Sequence, residues 1–229
     1  MIHDNLETIR SRIRQAALSC GREPNSIRLV AVSKRMGPDA VSAAIDYGHL
    51  LFGENYLQEA QQKITKVSKQ AKWHFIGALQ SNKAKITAEL FDMVETVDRV
   101  KTARALNNHA ERINKSLDIL VQINIGREVQ KSGILPDKTM SFIRELTSFE
   151  SLRVRGLMTI PPYSPNPEDT RKYFIKLREL GEQCLQAKLF YTDFCELSMG
   201  MSGDFETAIE EGATIIRVGT AIFGSRNIL

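Results

Sequence analysis

The chain has 229 residues, of which 42% are apolar and 25% are charged, as expected for a soluble globular protein with one large domain or two small ones. The net charge of +4 is compatible with an anionic ligand but is too small to indicate nucleic-acid binding. No apolar run approaches the roughly 20 residues of a membrane-spanning helix, so we expect no membrane partner.

The amino-terminal segment and the cysteines indicate the compartment. The first twenty residues carry charges throughout and lack the apolar stretch of a signal peptide. The three cysteines, Cys20, Cys184 and Cys195, are odd in number and do not have the spacing of a zinc or redox motif. Cysteines used in this way suit a reducing compartment. The sequence therefore predicts a cytoplasmic protein without a metal site.

An amphipathic helix is predicted first, because Leu6, Ile9, Ile13, Ala16 and Ala17 recur at helical spacing. Eight short apolar segments follow, and each has the length of a buried strand. These predicted strands are residues 27–32, 50–53, 73–77, 93–97, 117–125, 154–159, 196–199 and 214–218. The predicted helices between them are residues 39–47, 56–72, 80–90, 99–115, 136–149, 168–187 and 203–211.

Eight buried strands that alternate with helices favour an α/β protein with a closed (β/α)8 barrel. An open doubly wound sheet is the alternative. Few residues follow the last strand, so we expect the extra amino-terminal helix to lie where the eighth outer helix would otherwise pack. We find no linker, repeat or low-complexity tract, and we therefore predict a single domain over residues 1–229.

Lys34 is the first candidate for chemistry, because it follows the strand of residues 27–32 directly. Barrels place their active residues at the carboxyl ends of strands. A lysine amine becomes a nucleophile toward an aldehyde when burial disfavours its charged form. The alternative is a lysine whose side chain extends along the protein to reach water.

Polar residues and glycines gather at the other predicted strand ends as well, which indicates a ligand site there. Those positions are Glu54, Asn55, His74, Gly77, Asp98, Asn124, Lys131, Met158, Ser198 to Ser202, Arg217, Gly219 and Thr220. His74 has a second interpretation, as a hydrogen-bonded histidine of the core.

The last two strand ends resemble phosphate-binding turns. LSMGMSGDFETAI reads as strand, glycine turn and helix, with Ser202 predicted as the helix N-cap. RVGTAIFG adds a second turn, in which the amides of Gly219 and Thr220 are donors. Barrels often bind phosphate in the loops after strands seven and eight. The alternative is an ordinary cap with two tight turns, in which Asp204 interacts with the helix dipole.

Arg217 interrupts an otherwise apolar strand, and an unpaired arginine is rarely buried. Either a carboxylate pairs with it or its donors face a ligand. An amine, a phosphate cradle and an inward arginine together describe a pocket for a phosphorylated aldehyde. A Schiff-base aldolase that acts on a sugar phosphate without a cofactor also fits this pocket.

The motifs resemble one family over nearly the whole chain. They are LVAVSK, FGENYLQEA, WHFIGALQSNK, VETVD, VQINI with KSG, VRGLMTIPP, LSMGMSGDFETAI and IRVGTAIFG, which lie between residues 29 and 224. On these stretches the chain is similar to the pyridoxal phosphate homeostasis protein family, small relatives of the alanine racemase N-terminal barrel. The resemblance implies a fold type III barrel that binds pyridoxal 5′-phosphate.

The resemblance also implies roles for particular residues. Lys34 looks like the lysine that forms the internal aldimine, and Arg217 looks like the arginine that hydrogen-bonds the pyridine nitrogen. Ser202, Gly219 and Thr220 look like the phosphate cradle. Asn55 looks like a residue close to the cofactor ring. For His74 and Met158 the resemblance implies only placement in the pocket.

The function that the resemblance implies is the buffering, protection or delivery of the cofactor, with apo-enzymes as possible recipients. An arginine cannot give up its proton, so a ring nitrogen paired with one stays unprotonated and the ring is a weaker electron sink. We therefore expect no robust catalysis. The alternative is a racemase or lyase, but the related racemases take a tyrosine from a second domain that we do not expect here. A monomer is expected.

One further pattern is a series of lysines at three-residue spacing within the predicted helix of residues 56–72. These are Lys63, Lys66, Lys69 and Lys72. A solvated helix face is the favoured interpretation, and a basic patch for an anionic partner is the alternative.

Overall fold

Eight parallel strands pair in chain order and close into a barrel in the computed structural model, which describes residues 1–224. The strands are β1 (Arg28–Val32), β2 (Leu51–Glu54), β3 (Lys72–Phe75), β4 (Met93–Val97), β5 (Leu117–Ile123), β6 (Leu152–Thr159), β7 (Glu196–Ser198) and β8 (Ile215–Val218). Strand β1 pairs with both β2 and β8, which closes the ring. The prediction of a (β/α)8 barrel is confirmed.

Helices surround this barrel. They are α1 (Ile2–Ser19), α2 (Pro38–Asp46), α3 (Leu57–Ile64), α4 (Ala84–Leu90), α5 (Val100–Arg112), α6 (Thr139–Leu146), α7 (Glu168–Gln186), α8 (Phe205–Glu210) and α9 (Thr220–Phe223). Short 3-10 turns precede β1, α4 and α6.

The alternating side chains of the strands produce two hydrophobic cores. A smaller core fills the inside of the barrel and includes Val30, Ile76, Met93, Leu120 and Met158. The larger core lies between the outer face of the barrel and the helices. Because both faces of each strand are covered, the strands read as nearly continuous apolar runs.

Helix α1 occupies the expected place in the outer ring. It packs against α8 and α9 on one side and against α2 on the other. Its apolar stripe, which includes Leu6, Ile9 and Ile13, is buried. The helix that precedes the barrel thus covers the junction between β8 and β1, where α9 is only one turn long. The predicted position of this helix is confirmed.

The predicted helix of residues 56–72 is wrong over its second half. Helix α3 ends at Ile64, and turns closed by Lys66 N to Lys63 O (2.9 Å) and by Ala71 N to Ser68 O (3.2 Å) follow it. Lys72 is the first residue of β3. The four lysines therefore share no helix face, and the interpretation as a solvated face is wrong. Lys63 is buried and cannot belong to a basic surface patch, while a patch made of the other three stays a prediction.

Within residues 1–224, no helix combines the length and the apolar character needed to cross a bilayer. The predicted single domain includes residues 225–229, which lie outside the described residues, so that span stays a prediction.

Leu6→Ala is expected to lower the free energy of unfolding by about 2–5 kcal/mol, since Leu6 is 0% exposed beneath α1 and the change leaves a cavity. Leu18→Ala makes the same chemical change on the same helix, where the side chain is 62% exposed, and should stay within about 0.5 kcal/mol of the parent. Urea denaturation measures both. Equal losses in the two variants would contradict the packing role of α1.

Candidate functional site

Lys34 lies in a tight turn at the carboxyl end of β1. Ser33 extends the strand by one bond, from its amide to Gly53 O at 3.1 Å. The turn then closes through Met36 N to Ser33 O at 3.0 Å, with Arg35 in the left-handed region at φ 64°. Lys34 is half-buried. The backbone on either side of this lysine is therefore held in a defined geometry.

A buried ammonium lies beneath this turn. Lys63 on α3 is 2% exposed, and its Nζ donates to Ser33 O at 2.7 Å and to Glu59 Oε1 at 2.9 Å. It also donates to Glu54 Oε1, which in turn accepts the Ser33 hydroxyl at 2.6 Å. Glu59 Oε1 accepts the amide of Arg35 at 2.5 Å. This Lys63 cluster, made of Ser33, Glu54, Glu59 and Lys63, fixes the residues before and after Lys34.

The charges of the Lys63 cluster depend on one another. Burial raises the pKa of Glu54 above its ordinary value, and the adjacent Lys63 ammonium partly offsets that rise. A buried carboxylate and a buried ammonium are each costly to desolvate and are tolerated as a pair. Sequence reasoning placed Glu54 at a strand end but missed this pairing, because the series of lysines concealed that one of them points inward.

Arg217 on β8 points into the barrel and is buried. Its Nη1 donates to Ser198 Oγ at 2.5 Å, and its Nη2 donates to the carbonyl oxygen of Thr159 at 2.8 Å. The Glu95 carboxylate lies 3.9 Å from Nη1. Of the two alternatives for Arg217, the structure therefore contains the first, in which a carboxylate inside the protein pairs with it. The guanidinium group has five N–H donors, and these two bonds leave others.

Glu95 joins Arg217 to His74. Its Oε1 lies 2.6 Å from His74 Nδ1, and its Oε2 accepts the Ser198 hydroxyl at 2.5 Å. Burial acts to raise the pKa of Glu95, but the hydrogen bond and charge of His74, the charge of Arg217 and the bond from Ser198 lower it below the ordinary value. Glu95 is thus an ionised carboxylate that is fully buried in the barrel.

Glu95 was missed at the sequence level, although a signal was available. It is a charged residue in the apolar strand MVETV, the same criterion that singled out Arg217. His74 is a hydrogen-bonded buried histidine that reaches Arg217 through Glu95. Met158 is fully buried in the inner core and pairs in register with Ser198.

The turn after β7 differs from the predicted cap. Asp204, not Ser202, is the N-cap of α8, and its Oδ1 accepts the amide of Met201 at 2.7 Å. Burial raises the pKa of Asp204, while that hydrogen bond and the charge of Arg217 lower it. That bond closes the turn before the helix, and the Asp204 side chain accepts no amide of α8 itself, so the helix begins two residues later than the predicted cap and without a side-chain cap. Gly200, at φ 91°, allows the close approach, since a Cβ there would lie 2.6 Å from Ala208 Cβ.

Free backbone donors follow β7 and β8. The amides of Ser202, Gly203, Gly219 and Thr220 donate to no acceptor within residues 1–224. Gly219 is buried, and its carbonyl oxygen accepts the amides of Ile222 and Phe223. The carboxyl ends of two neighbouring strands thus present a group of unused N–H donors, which an anion can accept.

Asn55 presents an acceptor at the end of β2. Its Oδ1 is buried, and no residue in the described part of the chain donates a hydrogen bond to it. Gly77 allows the backbone to pass close by, because a Cβ there would lie 2.1 Å from Asn55 O. A buried unpaired amide oxygen is costly, so this position suits a ligand that carries a donor.

The fold and this site place the chain in a broad class, the alanine racemase N-terminal domain. Residues 5–227 match the family model described as alanine racemase, N-terminal domain. The solved alanine racemase from Bartonella henselae has the same fold, with a TM-score of 0.73 at 14% identity, covering 98% of this chain and 58% of that one.

Relatives with higher sequence identity define the family within this class. A pyridoxal phosphate homeostasis protein from Vibrio alginolyticus is 41% identical over 99% of this chain and 98% of its own length. The one from Escherichia coli K12 is 41% identical over 99% and 97%. PipY from Synechococcus elongatus, solved with PLP bound, has a TM-score of 0.84 at 33% identity, covering 98% of this chain and 100% of that one. The chain belongs to the pyridoxal phosphate homeostasis protein family, which confirms the resemblance.

Lys63→Met is expected to cost about 3–5 kcal/mol of unfolding free energy at neutral pH, because it leaves the Glu54 carboxylate buried without its partner. A glutamate whose pKa is raised on folding loses stability as pH rises through that pKa. The deficit should therefore be largest at about pH 8 and shrink toward about pH 5 as Glu54 takes up a proton.

Urea denaturation at both pH values measures the effect, and Lys66→Met, which removes an exposed lysine from the same segment, is the control. A deficit that is equal at the two pH values would show that Glu54 does not titrate as described.

Proposed function

We propose that this chain holds pyridoxal 5′-phosphate at the carboxyl mouth of its barrel, with Lys34 as the attachment point. The observation that carries the proposal is the convergence of the proposed groups on four consecutive strands, β7, β8, β1 and β2. Lys34 follows β1, and Arg217 lies on β8, where Val30 and Arg217 pair in register. The relative PipY, solved with PLP bound, supports the identity of the cofactor.

The residues present fit the chemistry of this cofactor. When bound, the cofactor supplies an aldehyde that bonds to a lysine amine and a ring that accepts electrons. The unused amides of Ser202, Gly219 and Thr220 suit its phosphate group. Arg217 retains donors for a ring nitrogen, and the unpaired Oδ1 of Asn55 suits a hydroxyl donor. In this proposal Met158 and His74 support the pocket from inside the barrel.

The Lys63 cluster and the Arg217 contacts have different tasks in this proposal. The Lys63 cluster orients the turn that carries the amine, through Ser33 O and the amide of Arg35. Glu95 and Ser198 hold the guanidinium of Arg217 in place and balance its charge. Because arginine stays protonated, Arg217 donates to a ring nitrogen and leaves it without a proton.

The role that fits best is cofactor homeostasis in the cytoplasm, in which a monomeric carrier of one domain buffers pyridoxal 5′-phosphate or delivers it to apo-enzymes. The names of the relatives at 41% identity support this role. A ring nitrogen paired with arginine makes a weaker electron sink than one paired with a carboxylate, so robust turnover is not expected.

A racemase or lyase is the second candidate, and the match to the alanine racemase N-terminal domain favours it. Such an enzyme needs a base on each face of the substrate carbon. Lys34 can serve one face. A base for the other face would have to come from a loop at the same end of the barrel, and Tyr56 after β2 and Tyr163 after β6 lie in such loops, 49% and 89% exposed.

The attachment point is tested by absorbance spectroscopy after loading with pyridoxal 5′-phosphate. The parent protein should show a visible band that borohydride bleaches, and Lys34→Ala should lack it. Lys101→Ala, an exposed lysine on α5, is the control and should keep the band. A parent protein that stays colourless would refute the cofactor assignment and favour the aldolase interpretation.

Carrier and enzyme are separated by two assays on the loaded protein. A carrier should restore activity to an apo-enzyme faster than the same concentration of free cofactor does. It should also leave α-protons of a panel of amino acids unexchanged in deuterated water. Transfer no faster than that of free cofactor would reject delivery, and exchange with any amino acid would favour the racemase or lyase.

A further inference from the structure

A cavity lies at the opposite end of the barrel from Lys34. Its volume is about 990 Å³, and the beginnings of β1 to β6 line it together with α1. Ligand pockets commonly measure roughly 300–1,000 Å³, so a small metabolite fits. The proposed cofactor site lies at the carboxyl ends of the strands, and His74 is the residue of that site that also lines this cavity.

Cations outnumber carboxylates around this amino-terminal cavity. The six cationic residues that line it are Arg10, Arg14, Arg28, Lys72, Lys115 and Arg153. The three carboxylates that line it are Glu7, Asp92 and Asp118.

Three of the cations already have carboxylate partners. Lys72 pairs with Asp92 at 3.1 Å, and Arg153 pairs with Asp118 at 2.6 Å. Arg28 pairs with Glu196 at 2.6 Å, a residue from outside the lining. The other three cations take part in none of these pairs.

The remaining cations, Arg10, Arg14 and Lys115, have no carboxylate within ion-pair distance in the described residues. Arg10 Nη2 donates weakly to Gly48 O at 3.4 Å. Lys115 Nζ donates to the carbonyl oxygens of Ala88 and Phe91. Burial lowers the pKa of Lys115, because its charge is desolvated. Asp92 partly offsets that cost, and Glu7, which accepts the Tyr47 hydroxyl, adds one more negative charge to the lining. The lining remains net positive, and an anion in the cavity would balance the excess.

His74 adds a polar group of a different kind to the lining of the cavity. The ring is nearly completely buried and lines the cavity beside Met93. Glu95 is ionised and can only accept, so Nδ1 carries the hydrogen that it shares with Glu95. Nε2 has no hydrogen-bond partner within residues 1–224. In the neutral ring it accepts and in the charged ring it donates, and a hydroxyl group satisfies either state.

We propose that the amino-terminal cavity binds a small organic anion that carries hydroxyl groups. Arg10, Arg14 and Lys115 bind its charged group, and His74 Nε2 bonds a hydroxyl. Asn25, Ser11 and Ser116 line the same cavity and offer further partners for hydroxyls. The charged group is a phosphate, as in a sugar phosphate, or a carboxylate, as in a hydroxy acid. The inference does not depend on the proposed cofactor function.

The test is NMR on the full chain with ¹³C-methyl methionine. Met93 lies in the cavity, while Met201 lies in the turn after β7 at the other mouth, so the seven methionines report where a ligand binds. The probes are ribose 5-phosphate, citrate, inorganic phosphate and ribose, at low ionic strength. Met93→Leu assigns the signal. Arg10→Gln with Arg14→Gln weakens the site, and Lys85→Gln with Lys101→Gln removes two exposed helix charges as the matched control.

We expect ribose 5-phosphate or citrate to shift the Met93 signal and to saturate it below about 10 mM. Whichever of the two does so identifies the charged group. The Arg10 and Arg14 double variant should weaken that binding about tenfold, and the control should not.

Three outcomes would overturn the proposal: no shift of Met93 with either probe, a shift that the double variant leaves unchanged, or a response to inorganic phosphate or ribose equal to that of the best probe.

Discussion

A buried ion pair, Arg217 with Glu95, lies inside the barrel, and the organisation of the site depends on it. Arg217 and Glu95 are both buried inside the ring of strands, and Ser198 bridges them. Either charge alone would cost several kcal/mol to bury, so each requires the other. The carbonyl oxygen of Thr159 and the ring of His74 use the remaining bonding capacity on the two sides. The orientation of Arg217 therefore follows from contacts on four other strands.

A second buried ion pair plays a similar part at the end of a nearby strand. Lys63 on α3 pairs with Glu54, the last residue of β2, below the turn that carries Lys34. Their bonds go to the backbone of Ser33 and, through Glu59, to that of Arg35. The chain has thus used buried ion pairs, which contribute little net stability, at the two places where a proposed ligand group needs a fixed direction. The two ion pairs therefore serve to position side chains and backbone more than to stabilise the fold.

The alternation of buried strands and helices was enough to predict the barrel, because each βα unit has a short and regular period. Arg217 and Lys34 were found because a charge stands out in or beside an apolar strand. The same reasoning failed for Lys63, since a regular series of lysines looks like a solvated face when only the sequence is read. Ser202 was assigned as the cap although α8 begins two residues later, because residue preference alone does not tell where the turn ends and the helix starts. Glu95 and His74 lie on neighbouring strands, and the sequence does not specify the register in which those strands pair. Their contact could therefore not be predicted.

The seam between β8 and β1 has a consequence for folding. These two strands are the last and the first of the sheet, and Lys34 and Arg217 stand on either side of their junction. The segment that covers the junction, α1, comes from the very beginning of the described chain. Contacts between such distant parts of a sequence form slowly, because a long loop must close first. A nascent chain that lacks β8 leaves one edge of β1 unpaired and has no arginine opposite the lysine, so the proposed cofactor site is complete only when the ring of strands closes.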